Sequence, residues 1–170
     1  MILRTTREDH LVAALAALAV AIHVVEAALP SPLPGIKPGL ANVIVVATLV
    51  HFGFRLAVWV GLLRVLAGSL LVGSFLSPVF LLSLAGALAS LAALGLGAAL
   101  PRRPLSALGL SVLAALAHMG GQFLVARYLL IPHPALAALL PVLMTAALVF
   151  GVVSGTIALA MLRQAVVRTP

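Results

Sequence analysis

The sequence predicts an all-α, polytopic membrane fold of six transmembrane helices, and three observations predict it. Of 170 residues, 64% are hydrophobic and 8% charged, against about 25% charged in a soluble domain. The mean hydropathy is +1.31. The apolar residues also fall into runs near the roughly 20 needed to cross a bilayer core, separated by proline, glycine and arginine. Together the runs form a single integral membrane domain over residues 1–170.

The first run, about His10–Leu29, follows Arg4 and Arg7, as the apolar core of a signal peptide does. It exceeds an h-region of about 7–15 residues, and no clear cleavage site follows it. It also carries His23 and Glu26, so it reads as a retained helix. PSPLPGIKPG at 30–39 is next, with four prolines and two glycines; such a stretch makes a stiff, non-helical connection. The second run, about Leu40–Phe52, is short. Pro38 suits a first helical turn, so this helix is expected to start just after Lys37. FGFR at 52–55 separates it from the third run, Arg55–Phe75, and Pro78–Leu100 is the fourth. PRRP at 101–104 precedes the fifth, about Ser106–Ile131, and PHP at 132–134 opens the sixth, Pro134–Leu162.

Arginine bias sets the expected orientation. With the N-terminus inside, Arg4, Arg7, Arg55, Arg102, Arg103, Arg163 and Arg168 lie on the cytoplasmic side, against Lys37 and Arg127 outside. Both termini are then expected to be cytoplasmic, in a multi-pass membrane protein. The net charge of +7 is a topological signal rather than a nucleic-acid footprint, because the cations stand singly between apolar runs.

Ionisable residues inside a membrane mark functional sites. In this topology they gather toward the outside: His23 and Glu26 on the first helix, Lys37 in the loop, Asn42 at the start of the second, and Arg64 near the middle of the third. His118 and Gln122, four residues apart, share one face of the fifth helix. Glu26, Lys37, Asn42, Arg64, His118 and Gln122 are the expected substrate-binding residues. Structural alternatives stand beside this: an Arg64–Glu26 ion pair, a helix-packing His23, and a His118–Gln122 interhelical contact. Gly61 and Gly68 share a face with Arg64, giving room for a ligand or another backbone. Free N–H groups at the second helix start attract anions. Ala13, Ala17 and Ala21 form a small-residue stripe about 150° around the first helix from His23 and Glu26, an expected partner interface.

The composition also excludes chemistry. Glu8, Asp9 and Glu26 are the only acids and there is no cysteine. Paired-carboxylate hydrolysis, two-metal sites and thiolate catalysis therefore lack material. No HxxxH or HExxH spacing occurs, so no metal is expected, and no catalytic residue or cofactor either. No P-loop occurs, so ATP must be hydrolysed elsewhere if transport is ATP-driven.

The run EAALPSPLPGIKPGLANVIVVATLVHFGFRLAVWVGLLRVLAGSLLVGSFLSPVFLLSLAGALASL, with AHMGGQ at 117–122, resembles the Gx transporter family. That family is also labelled heptaprenyl diphosphate synthase component I and is similar to S components of energy-coupling-factor (ECF) transporters. The resemblance implies a six-helix S-component fold with an outward substrate pocket. It implies partners too: a coupling membrane subunit that meets the alanine stripe, and two cytoplasmic ATPases. Lys37 and Asn42 stand in the family's PGxKxGLAN block and Arg64 in its LLRxLxGSLLxG block. An active prenyl synthase does not fit, since clustered aspartates are missing. The reading is therefore a non-enzymatic subunit capturing a small anionic or amphipathic metabolite. The alternative is a non-catalytic membrane scaffold beside isoprenoid, quinone or redox enzymes.

Overall fold

The computed structural model describes residues 6–28, 40–99 and 105–167. The PSPLPGIKPG loop with Lys37, and Arg4, Arg102, Arg103 and Arg168, lie outside the described residues. The chain is all-α, with no strand among the described residues: α1 Arg7–Ala28, α2 Ala41–Phe52, α3 Phe54–Val72, α4 Pro78–Ala98, α5 Ala107–Val125 and α6 Leu140–Val167. A π-helical turn, Ala126–Leu130, continues α5, and a 3-10 turn, Pro134–Leu139, leads into α6. Five helical segments are long and apolar enough to cross a membrane; α2 is a shorter apolar helix.

Local chemistry sets most of the helix starts. Thr6 and Asp9 form a reciprocal box before α1: the Thr6 N–H donates to Asp9 Oδ2 at 2.8 Å, and the Asp9 N–H donates to Thr6 Oγ1 at 3.3 Å. Ser77 Oγ accepts from the Phe80 N–H ahead of Pro78, and Ser106 Oγ accepts from the Gly109 N–H. Gly53 makes the tight α2–α3 corner at φ +91°, a conformation that favours glycine.

The twelve residues of α2 span about 18 Å at about 1.5 Å per residue, short of a bilayer core of about 30 Å. This helix is instead the centre of the bundle. Val43, Ile44, Val45, Val46 and Leu49 share one apolar core with Ala19 of α1, Val60 of α3, Leu94 of α4, Leu110 of α5 and Ala158 of α6. A helix apolar all round belongs in such a position. The long helices turn apolar side chains outward, among them Leu71, Leu88 and Leu96, as a lipid-facing surface requires.

The α4–α6 side is knitted by small residues. A Cβ on Gly121 would lie 2.8 Å from the Ala85 carbonyl oxygen, so α4 and α5 touch backbone to backbone. On α6, Gly151 and Gly155 stand in GVVSG. Added Cβ atoms there would meet the Cα atoms of Val112 at 2.9 Å and Leu108 at 2.8 Å. Close approach of this kind lets dispersion and weak polar contacts accumulate where apolar burial alone gives no advantage over lipid.

Candidate functional site

α2 begins at a position that cannot cap itself. Leu40 has no polar side chain, yet the first N–H groups of any helix need acceptors. Glu26, near the end of α1 and 4% exposed, supplies them from outside the helix. Its Oε1 accepts from the Leu40 N–H at 2.6 Å and its Oε2 from the Ala41 N–H at 3.3 Å. A carboxylate at a helix start also meets the positive end of the helix dipole. The expected intramembrane acid is therefore the borrowed cap of the central helix.

Arg64 of α3 is 6% exposed, and its Nε has no hydrogen-bond partner among the described residues. It lies within electrostatic reach of Glu26 and of His118. His118 is half-buried at the α4–α5 contact. Its ring lies against the backbone of Gly86, where a Cβ would stand 2.7 Å from Nε2. His23 is also within reach of His118 and packs on α3, where a Cβ on Gly68 would stand 2.6 Å from its Cδ2. One acid, one guanidinium and two imidazoles from α1, α3 and α5 thus form a chain of neighbours, with the acid at the start of α2.

Of the six expected binding residues, Glu26, Arg64 and His118 come together. Asn42 and Gln122 are half-buried at its margins, one residue beyond Ala41 and one turn beyond His118; neither side chain makes a hydrogen bond among the described residues. Lys37 lies outside the described residues. Glu26 lies within electrostatic reach of Arg64, but its hydrogen bonds go to the start of α2. His118 packs on Gly86 of α4, where the absent Cβ lets the ring reach the backbone. The space beside Gly68 and Gly61 is filled by His23 and Leu91, so both glycines admit neighbouring helices rather than a ligand. Ala13, Ala17 and Ala21 are exposed on α1, away from Ala16, Ala19 and Val20, which face the bundle.

Sequence reasoning passed over two features. GVVSG at 151–155 is a plain GxxxG signal. Ser90 and Ser111, 2% and 1% exposed, bury hydroxyls with no partner among the described residues; serine in an Ala/Leu-rich helix gives no warning of that. Among the described residues, no group of three His, Asp or Glu side chains is placed to hold a metal.

Chemically, backbone N–H groups, a guanidinium and imidazoles are groups that an anion can meet. No curated protein and no solved structure matches the chain. Residues 15–161 match the family described as heptaprenyl diphosphate synthase component I, which takes in α2 to α5 whole, the greater part of α1 and α6, and every residue of the cluster. The chain belongs to that family, the Gx transporter family.

Proposed function

We propose that this protein is the substrate-capturing membrane subunit of an ECF-type importer. As a single integral domain with both termini cytoplasmic, it takes a small anionic or amphipathic metabolite from outside. The observation that carries this reading is Arg64: a buried guanidinium with a spare Nε donor, whose neighbouring acid already accepts from α2. A buried cation without full pairing is costly and is retained where it has work to do. Arg64 then receives the anionic group of the ligand, with Lys37 adding charge from the loop. His118, Asn42 and Gln122 supply polar contacts along the wall. Ligand binding favours the form that a coupling membrane subunit accepts. That subunit meets the exposed face of Ala13, Ala17 and Ala21, and two cytoplasmic ATPases provide the energy.

A second reading is favoured by the family description itself: a non-catalytic scaffold beside an isoprenoid or quinone enzyme. There, Arg64 and Glu26 only brace α1, α2 and α3. Small molecules co-purifying with the protein, identified by mass spectrometry, separate the two. Arg64→Met keeps an apolar stem of similar reach and removes the charge. The importer reading expects Arg64→Met to fold while bound small molecule falls at least tenfold. Equal occupancy in a folded Arg64→Met protein would overturn it in favour of the scaffold.

A further inference from the structure

We propose that Glu26 is an internal stand-in for the ligand. In this form its carboxylate occupies the anion position at the start of α2, and the ligand's own carboxylate displaces it on binding. The proposal rests on the capture reading above and narrows its substrate class to compounds bearing a carboxylate.

Three observations converge on it. The position is built for a planar two-oxygen anion, since two successive N–H groups, those of Leu40 and Ala41, donate to the two oxygens of one carboxylate. The donors open the protein's central helix, and Ala41 is fully buried and Glu26 4% exposed, so the Ala41 N–H and the carboxylate are held away from bulk water. Independently, the 94%-buried Arg64 lies within electrostatic reach of the same carboxylate and keeps an unpartnered Nε. The positive groups around the position thus exceed what Glu26 alone satisfies. His118 of α5 lies within electrostatic reach of Arg64 and of His23.

The arrangement also explains why the cap is borrowed. A local serine, as at α4 and α5, would close the α2 start permanently with a neutral group. A carboxylate reaching over from α1 closes it reversibly, and leaves when an equivalent anion arrives. Exchange of one carboxylate for another keeps both N–H groups paired throughout. It also frees Glu26 to move, and with it the end of α1, whose other face carries Ala13, Ala17 and Ala21. Ligand entry is thereby linked to the helix expected to meet the coupling subunit.

Chemical rescue tests this on the full-length protein in lipid nanodiscs. Glu26→Ala vacates the position, and Glu26→Gln keeps its shape and one acceptor without the charge. The probes are octanoate, octanol and inorganic phosphate. Octanoate is expected to raise the melting temperature of Glu26→Ala by several degrees and to bind it at least tenfold tighter than wild type. Glu26→Gln should fall between, because a neutral occupant is displaced more easily than a charged one. Octanol should rescue nothing, and phosphate less than octanoate.

Equal octanoate affinity in wild type and Glu26→Gln, or rescue by octanol as well, would overturn the stand-in. Should Glu26→Ala fail to fold even with octanoate present, Glu26→Gln alone decides, by whether it gains affinity. The capture reading fails separately, by the Arg64→Met occupancy measurement. Loss of ligand in Arg64→Met with no gain in Glu26→Gln would keep capture and remove displacement.

Discussion

The two sides of this bundle are held by different physics. Around α1, α2 and α3, a buried acid, a buried guanidinium and an imidazole bridge helices, and the central helix starts on a carboxylate lent by its neighbour. Along α4, α5 and α6, glycines bring backbones into contact and serines cap α4 and α5 within one turn. The first side carries groups whose partners can exchange. The second is a packed wall that the cluster reaches through His118 and Gln122 of α5. That difference assigns ligand chemistry to one side and rigidity to the other, and it can be attacked from either.

The largest effect should come from the wall. Gly155→Leu places a side chain where even a Cβ would stand 2.8 Å from the Leu108 Cα. Backbone cannot step aside as a flexible side chain can, so we expect a loss of about 3 kcal/mol or more, at the upper end of overpacking costs. Thermal unfolding in detergent measures it, and ligand occupancy should fall in proportion to folded protein. A folded Gly155→Leu protein with normal stability would mean that the α5–α6 contact is not the brace described.

Next is Ser106→Ala at the start of α5. It removes the acceptor for the Gly109 N–H at an exposed position, a change that costs about 1 kcal/mol. The comparison predicts a purely local loss: a lower melting temperature with ligand affinity unchanged within about twofold. Glu26→Gln is the matching change at the α2 start, where affinity is expected to move. If Ser106→Ala shifted ligand affinity as strongly, the contrast between local and borrowed caps would collapse.

How much of this the sequence carried depends on the kind of signal. Helix number and order follow from run lengths and from Pro, Gly and Arg punctuation, all local properties. The short second run was legible too, as a length; its place at the centre was not, because burial of α2 by α1, α3, α5 and α6 is a property of the assembled bundle. Glu26, Arg64 and His118 were legible as candidates because charge in an apolar helix stands out. What each does was not. Glu26 is assigned to α2 by the missing cap at Leu40, a contact fourteen residues away in the chain. His118 is assigned to Gly86 by the depth of the α4–α5 approach, which no spacing within α5 encodes.

Ser90→Ala should produce the smallest effect, and its sign is the informative part. Ser90 is buried on α4, one turn further along the helix from the Gly86 that meets His118, and its Oγ has no partner among the described residues. A buried hydroxyl without a partner contributes nothing to stability and carries a desolvation cost. Deleting it should be neutral or stabilising by up to about 1 kcal/mol. Its bare removal should leave ligand affinity untouched if the α4–α5 wall is inert. A folded Ser90→Ala protein with weakened binding would show instead that the polar site extends past His118 into the wall. The two sides would then share the ligand, and the division of labour would run along the depth of the bundle rather than across it.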